Sequence, residues 1–230
     1  MNSVLRRRLR KALLALVLIV VVLFAALFIK IRFFQPHFDV VSIKTLPAYQ
    51  NATLLERAWT LPVARTFLHE LDFQSNGSIC GPTSVANIFR SLGEGPVTPR
   101  AVLEGSGKCP LDFCLNGLTL DELADIARSK SRRSVTVLSG LSLDEFRMHM
   151  HHTNDAHRRY LVNFQRGLLF GQGYGHHSPI AGYLEDRDLV FVLDVNAKFG
   201  PWLVPTDRLY NAVSAPDPRS GKPRGLLLIQ

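Results

Sequence analysis

The hydrophobic pattern changes character three times along the chain. Residues 12–29 form an unbroken run of 18 apolar side chains. As a helix rising 1.5 Å per residue, that run is about 27 Å long, close to the thickness of a bilayer's hydrocarbon core. From about residue 34 to 61 the apolar positions lose any period, and Pro36 and Pro47 interrupt them, as in a linker. A helical period follows. Residues 63–71 read as a short helix. Cys80–Leu92 is a clear one: Val85, Ile88, Phe89 and Leu92 share a face, Pro82 sits in the first turn and Gly93 stops it. Thr119 with Glu122, and Ser142 with Glu145, are capping boxes opening helices that run to about Ser129 and Met150. Beyond residue 160 the period gives way to short apolar runs bounded by turn residues, read as strands at 160–164, 180–184, 189–193 and 226–229. Helices first and strands second predict an α+β domain with a mostly antiparallel sheet. The expected organisation is a basic N-terminus over 1–11, a transmembrane helix over 12–33 with Phe33 and Phe34 near the far interface, a linker over 34–60 and one domain over 61–230.

Composition and charge sharpen this picture. With 47% hydrophobic and 20% charged residues, the chain can bury a core. The net charge of +8 is local: residues 1–35 hold seven of the 27 basic residues and no acidic one, leaving 20 basic against 19 acidic elsewhere. That near-neutral remainder has no basic stripe interleaved with aromatics, so nucleic acid is not an expected partner. The cluster from Arg6 to Lys11 precedes the apolar run, and positive charge stays in the cytoplasm, which sends everything after the run across the membrane. A cleaved signal peptide is the alternative. The run exceeds the usual apolar stretch of about 7–15 residues and no small-x-small cleavage site follows, which favours an uncleaved single-pass anchor. Either way the domain is exported, and without organelle-type features the expected location is a bacterial inner membrane with the domain in the periplasm.

The chemistry centres on Cys80. It opens the clearest helix, where unpaired backbone N–H groups and the positive dipole end favour thiolate over thiol. Gly81 lets a substrate approach closely, and Gln74 upstream can donate a side-chain N–H to an oxyanion beside the Cys80 amide. Alone, a cysteine at a helix start is commonly just a small buried hydrophobe; its possible partners change that. A nucleophilic cysteine needs an imidazole within reach, oriented by a third polar group. His176 enters one strand and Asp194 ends the next, across the turn Glu185-Asp186-Arg187-Asp188. A two-residue turn at Asp186-Arg187 would set His176 opposite Ala197, three places past Asp194, so a strand offset, a bulge or a diagonal contact has to close the gap. Asp194 ends an otherwise apolar strand, and a carboxylate there needs a partner.

Four blocks together resemble the phytochelatin synthase family, a branch of the papain-like clan. They are Gln74 with Cys80-Gly81; Asn163 with Arg166-Gly167; Gly175-His176 with Ser178-Pro179 and Leu193-Asp194-Val195; and the stretch from Asp217 to Gly225, Asp-Pro-Arg-Ser-Gly-Lys-Pro-Arg-Gly. Their order and spacing span about residues 60–230. The resemblance implies a papain-like cysteine protease fold, with an N-terminal helical lobe and an antiparallel sheet lobe. It implies Cys80 as nucleophile, His176 as base, Asp194 as its orienter and Gln74 as oxyanion donor. Asn163, Asp217 and Arg224 would read the γ-glutamyl-cysteinyl part of the substrate, with Arg166, Gly81 and Gly175 also lining the substrate site. The implied substrate is glutathione or a related γ-glutamyl thiol. Its Cys–Gly amide would be cleaved through a γ-glutamylcysteinyl thioester passed to water or to a second glutathione. No cofactor is required for that chemistry; stimulation by cadmium or another soft divalent ion is left open. The chain departs from the family pattern at His177, where an aromatic or aliphatic residue is common, and after Asp194, where an arginine is missing and Lys198 offers only a point charge.

Cys109 and Cys114 can close a small disulfide loop in an oxidising compartment, leaving Cys80 free, or can bind a soft metal ion; the disulfide is favoured. His149, His151, His152 and His157 fit no standard closed zinc site and read as a solvated helix end. Two rival functions share the cleft: a peptidase acting on another peptide, and a non-catalytic binding module.

Overall fold

The structure is a computed structural model describing residues 3–33 and 35–230, with side chains from 6 to 26 and from 35 onward. The expected placement of Phe33 and Phe34 lies outside those side chains. The chain divides into two units, Met1–His37 and Phe38–Gln230. The first is one helix, α1 (Ser3–Phe33), whose 6–26 stretch is long and apolar enough to cross a membrane.

The second unit begins earlier than the sequence suggests. Residues 38–60, read as a linker, belong to it: Ile43, Tyr49 and Ala58 are buried in its core. Ile43 and Tyr49 plug the core from short turns, and the helix over 52–59 is only eight residues long, too brief for its period to stand out. The elements in order are α2 (Ala52–Trp59), α3 (Pro62–Arg65), α4 (Cys80–Leu92), α5 (Pro99–Leu103), α6 (Leu120–Lys130), β1 (Val135–Ser139), α7 (Leu143–His151), β2 (Arg159–Gln165), α8 (Gly167–Phe170), β3 (Gly175–Leu184), β4 (Leu189–Leu193), β5 (Pro201–Pro205), α9 (Thr206–Val213) and β6 (Gly225–Ile229). Helix ends follow local chemistry. Gly93 adopts the left-handed conformation (φ 66°) that terminates α4, and both expected capping boxes close, at Thr119–Glu122 and Ser142–Glu145.

The strands form one antiparallel sheet in the order β1-β6-β2-β3-β4-β5. Both faces are covered. One apolar layer packs α4 and α6 residues such as Val85, Phe89 and Leu123 against Leu161, Ala181 and Phe191. The other packs Phe146, Met150 and Leu209, from α7 and α9, against Val162, Ile180, Val190 and Trp202. Two-sided burial is why the inner strands read as continuous apolar runs rather than alternations. The buried Arg159 guanidinium ties the start of β2 to α4 and α3, donating to Ser91 Oγ, Ser91 O, Thr66 Oγ1, Ala156 O and Arg158 O.

A β-bulge sets up the site. From Leu184↔Leu189 to Gly182↔Phe191 the β3–β4 register is constant, then it shifts at Ala181 so that Ile180 faces Val192. Carried two residues further, this register sets Asp194 opposite Ser178. Side chains alternate between faces, so Asp194 falls on the same face as His176, one diagonal step away. Without the bulge Asp194 would stand opposite Pro179 and point to the other face.

Candidate active site

Cys80 begins α4 without a side-chain cap from Ile79. The segment ahead of it is held from three sides. Asn87 of α4 accepts from Asp72 N and donates to Asp72 O, and Gln74 N donates to Val195 O, one residue past Asp194. Ser78 accepts from Cys114 N, and Asn76 donates to Asp112 O. Cys109 and Cys114 are joined in a disulfide, and Cys80 is the free cysteine. The metal alternative for this pair is overturned, since both sulfurs are spent on each other. No group of three or more His, Cys, Asp or Glu among the described residues could hold a metal ion.

His176 Nε2 donates to Asp194 Oδ1 at 2.9 Å, with both side chains buried. Asp194 is surrounded by donors: Arg166 Nη2 lies 3.0 and 2.9 Å from its two oxygens, Asn196 N 2.9 Å from Oδ1 and Trp202 Nε1 3.1 Å from Oδ2. Burial alone would raise this carboxyl; the His176 imidazole, Arg166 and the Asn196 amide outweigh it and hold Asp194 well below the usual carboxylate range. His176 is pushed down by burial and by Arg166, but Asp194 and the Cys80 sulfur prevail and raise it. The Cys80 thiol would likewise be raised by burial. Charge and hydrogen bonds from His176, joined by His177, bring it well below its ordinary value. These shifts favour thiolate at Cys80, imidazolium at His176 and carboxylate at Asp194.

The structure pairs His176 with Asp194 as the sequence suggests and sets His176 in electrostatic reach of the Cys80 thiol, while the imidazole in direct contact with the sulfur is that of His177. His177 Nδ1 lies 3.7 Å from Cys80 Sγ. Strand alternation could have flagged it: if His176 faces Asp194, His177 must face α4. Trp202 was missed because its strand, β5, is short and bounded by prolines. Arg166, counted among the substrate residues, is instead buried against Asp194 with its guanidinium 3.9 Å over the Phe199 ring. Gly81 also serves a different purpose, because a Cβ there would press on Leu123 at 3.1 Å. The glycine lets α4 pack onto α6. Lys198 is exposed and makes no side-chain bond to Asp194.

Beside the triad, Arg224 Nη1 donates to Asn163 Oδ1 at 2.9 Å and lies 3.7 Å from Asp217 Oδ2, all three side chains buried. The Pro216↔Pro223 bridge folds the tail back so that Asp217 meets Arg224. Gly175 lets the Arg224 guanidinium lie against the strand, where a Cβ would force it to shift. Arg224 is lowered by burial, against the raising effect of Asp217 and the Cys80 sulfur, which places it in electrostatic reach of the nucleophile. Asn163, Asp217 and Arg224 line a cleft with Leu120, Ser220 and Lys222. Six polar atoms around the site, Gln74 Oε1, Asn163 Nδ2, Arg166 Nη1, His177 Nε2, Ser178 Oγ and Arg224 Nε, are buried without a hydrogen-bond partner. Unmatched groups at such density are suited to a polar ligand. The histidine cluster lies apart from all this: His149 bonds to the Tyr160 hydroxyl at 3.1 Å, and His151 lies 3.4 Å from Glu185 at the surface.

A buried Cys–His–Asp set at the meeting of a helix N-terminus and an antiparallel sheet places the chain in the papain-like cysteine peptidase class of folds. A C39-like peptidase of Bacillus anthracis shares the architecture at a TM-score of 0.51 and 13% identity, over 70% of this chain and 94% of that one. The chain belongs to the phytochelatin synthase family, whose model matches residues 45–226. Among curated relatives, a glutathione gamma-glutamylcysteinyltransferase of Schizosaccharomyces pombe is 28% identical over 171 residues, 68% of this chain and 41% of that protein. Glutathione gamma-glutamylcysteinyltransferase 1 of Arabidopsis thaliana is 34% identical over 170 residues, 68% of this chain and 34% of that protein. The chain thus spans about two fifths or less of the length of these relatives.

Proposed function

We propose that this protein is a membrane-anchored enzyme that cleaves the Cys–Gly amide of glutathione, or of a related γ-glutamyl thiol, through a thioester on Cys80. The observation that carries the reading is a buried Cys80 in contact with His177, beside the His176–Asp194 pair, with the buried Asn163–Asp217–Arg224 cluster in electrostatic reach of its sulfur. A γ-glutamyl head group bears an α-amino and an α-carboxylate group on one carbon, and an acidic and a basic side chain side by side match that pair. The Cys80 thiolate attacks the cysteinyl carbonyl. The Cys80 backbone N–H and a side-chain N–H of Gln74 stabilise the oxyanion, with the Gln74 backbone tied to Val195 beside Asp194. His176 protonates the departing glycine amine while Asp194 fixes its ring. Water or a second glutathione then takes the acyl group, its proton going to His176.

The chemistry requires no cofactor. Stimulation by cadmium belongs to the proposal; among the described residues no group of three or more His, Cys, Asp or Glu could hold the ion. The α1 helix is read as an inner-membrane anchor with Arg6–Lys11 in the cytoplasm and the domain in a bacterial periplasm, a reading supported by the Cys109–Cys114 disulfide, which suits an oxidising compartment. Protease added to spheroplasts should degrade the domain; full protection would sink that topology.

The decisive experiment incubates the full chain in detergent with glutathione, with and without cadmium. Intact-protein mass spectrometry should show a γ-glutamylcysteinyl adduct on wild type and none on Cys80→Ala, with free glycine released. Absence of both adduct and glycine, with cleavage of unrelated peptides instead, would favour the peptidase reading.

A further inference from the structure

We propose that His177 is a second imidazole of the nucleophilic centre: its Nδ1–H donates to the Cys80 sulfur, and its Nε2 accepts an N–H or S–H from the acyl half of the substrate. The chemical identity of that half rests on the function proposed above; the contact with sulfur does not. Three observations carry the inference. His177 Nδ1 stands 3.7 Å from Cys80 Sγ in a side chain only 4% exposed. The other ring nitrogen, Nε2, is buried with no partner. Such an orphan is costly unless a ligand satisfies it. The backbone of His177 is also tied to α4, because Ser84 Oγ donates to the His177 carbonyl at 3.0 Å. Directly across from His177 on β2, and on the same face, is Asn163, whose Nδ2 is likewise buried and unpartnered. The two orphans make a matched acceptor and donor, spaced as neighbours across a strand pair. A peptide group of the bound acyl chain, with one N–H and one carbonyl, satisfies both.

The second imidazole complements His176 rather than duplicating it. His176 faces Asp194 and is charged when the thiolate forms, then gives up its proton to the leaving amine. His177 Nδ1 keeps one donor on the sulfur through both half-reactions, including thioester breakdown, when negative charge returns to sulfur. The groups facing this pair are Cys80 from α4, His176 from β3 itself, Asn163 from β2 and Arg224 from the start of the β6 tail. The two carboxylates beyond them, Asp194 and Asp217, are each engaged by a cationic or imidazole partner, His176 and Arg224.

Alkylation of Cys80 by iodoacetamide tests this in the full chain, since Cys80 is the free cysteine. His177→Phe is expected to raise the pH midpoint of alkylation by about one unit, slowing the reaction about tenfold on the acid side. His177→Asn, whose amide nitrogen occupies the place of Nδ1, should restore the midpoint but raise KM for glutathione, because nothing then stands at Nε2. His177→Gln should leave the midpoint high. Thermal melts verify folding, and His177→Leu makes the same comparison if the phenyl ring does not pack. A His177→Phe profile superimposing on wild type, or identical profiles for His177→Phe and His177→Asn, would overturn the proposal. Alkylation uses no glutathione, so a wild type that fails to turn over glutathione refutes the substrate reading and leaves the sulfur result standing.

Discussion

Replacing Arg166 with methionine removes a guanidinium that bonds both oxygens of Asp194 and asks whether that arginine serves the carboxylate or the substrate. Arg166 Nη2 sits 3.0 and 2.9 Å from the two Asp194 oxygens, with side chains 8% and 0% exposed. Breaking a buried pair from one side costs about 3–5 kcal/mol, because the remaining charge is stranded. Asp194 keeps His176, Asn196 N and Trp202 Nε1, which favours the lower end, about 3 kcal/mol. Loss of the cation over Phe199 adds about 1 kcal/mol. At about 2–4 °C per kcal/mol for a domain of this size, the melting midpoint should fall by roughly 8–16 °C. Tryptophan fluorescence suits the assay, since Trp202 bonds directly to Asp194.

The pH behaviour carries its own sign. Asp194 is depressed in the folded state, so its contribution is present above the unfolded carboxylate value of about 3.9 and is lost as pH falls through the folded one. Arg166→Met raises the folded value, and acid unfolding should begin at higher pH. Arg166 also pushes His176 down, so its removal should carry the imidazolium, and the alkaline limb of activity, to higher pH. KM for glutathione should hardly move. A variant melting within about 2 °C of wild type, with KM sharply raised, would refute this placement and return Arg166 to the substrate.

Further outcomes follow from single contacts. Gly175→Ala drives a methyl into the Arg224 guanidinium, and displacement of that anchor should lower kcat/KM for glutathione about 10- to 100-fold while melting shifts little; steady-state kinetics decide it. Arg159→Met abolishes the guanidinium's bonds to Ser91, Thr66, Ala156 and Arg158 and should cost about 3 kcal/mol by urea unfolding, since donors and acceptors are buried together. Converting Cys109 and Cys114 to serine, or reducing the wild type, should cost about 2 kcal/mol for so short a loop. Cys80 alkylation rates should become more variable with temperature, because Asn76 and Ser78 lose their anchorage on that loop.

Features that depend on near neighbours in sequence were readable in advance. Cys80–Leu92 was placed to the residue, because an apolar stripe, Pro82 in the first turn and a left-handed Gly93 at the end are all local. The two capping boxes are three-residue motifs and closed as expected. Inner strands β2, β4 and β6 were visible as apolar runs. Edge strand β1 was not, since only Val135 of its five residues is fully buried and its sequence lacks a clean alternation. The linker reading of 38–60 failed for a similar reason: Ile43 and Tyr49 fill the core from irregular chain, which leaves no period to detect.

The candidate site divides along the same line. The sequence alone determined the cast: a cysteine at a helix start, a histidine and an aspartate on successive strands, and an acidic–basic tail. It could not determine that Ala181 bulges, and that single extra residue decides on which face Asp194 lies. Nor could it assign Arg166 to Asp194, Trp202 to the same carboxylate, or His177 to the sulfur. Those pairings join residues from different elements, and their partners are selected by sheet register and by how closely α4 can settle on β3. Local propensities leave both of these open, and packing of the whole domain fixes them.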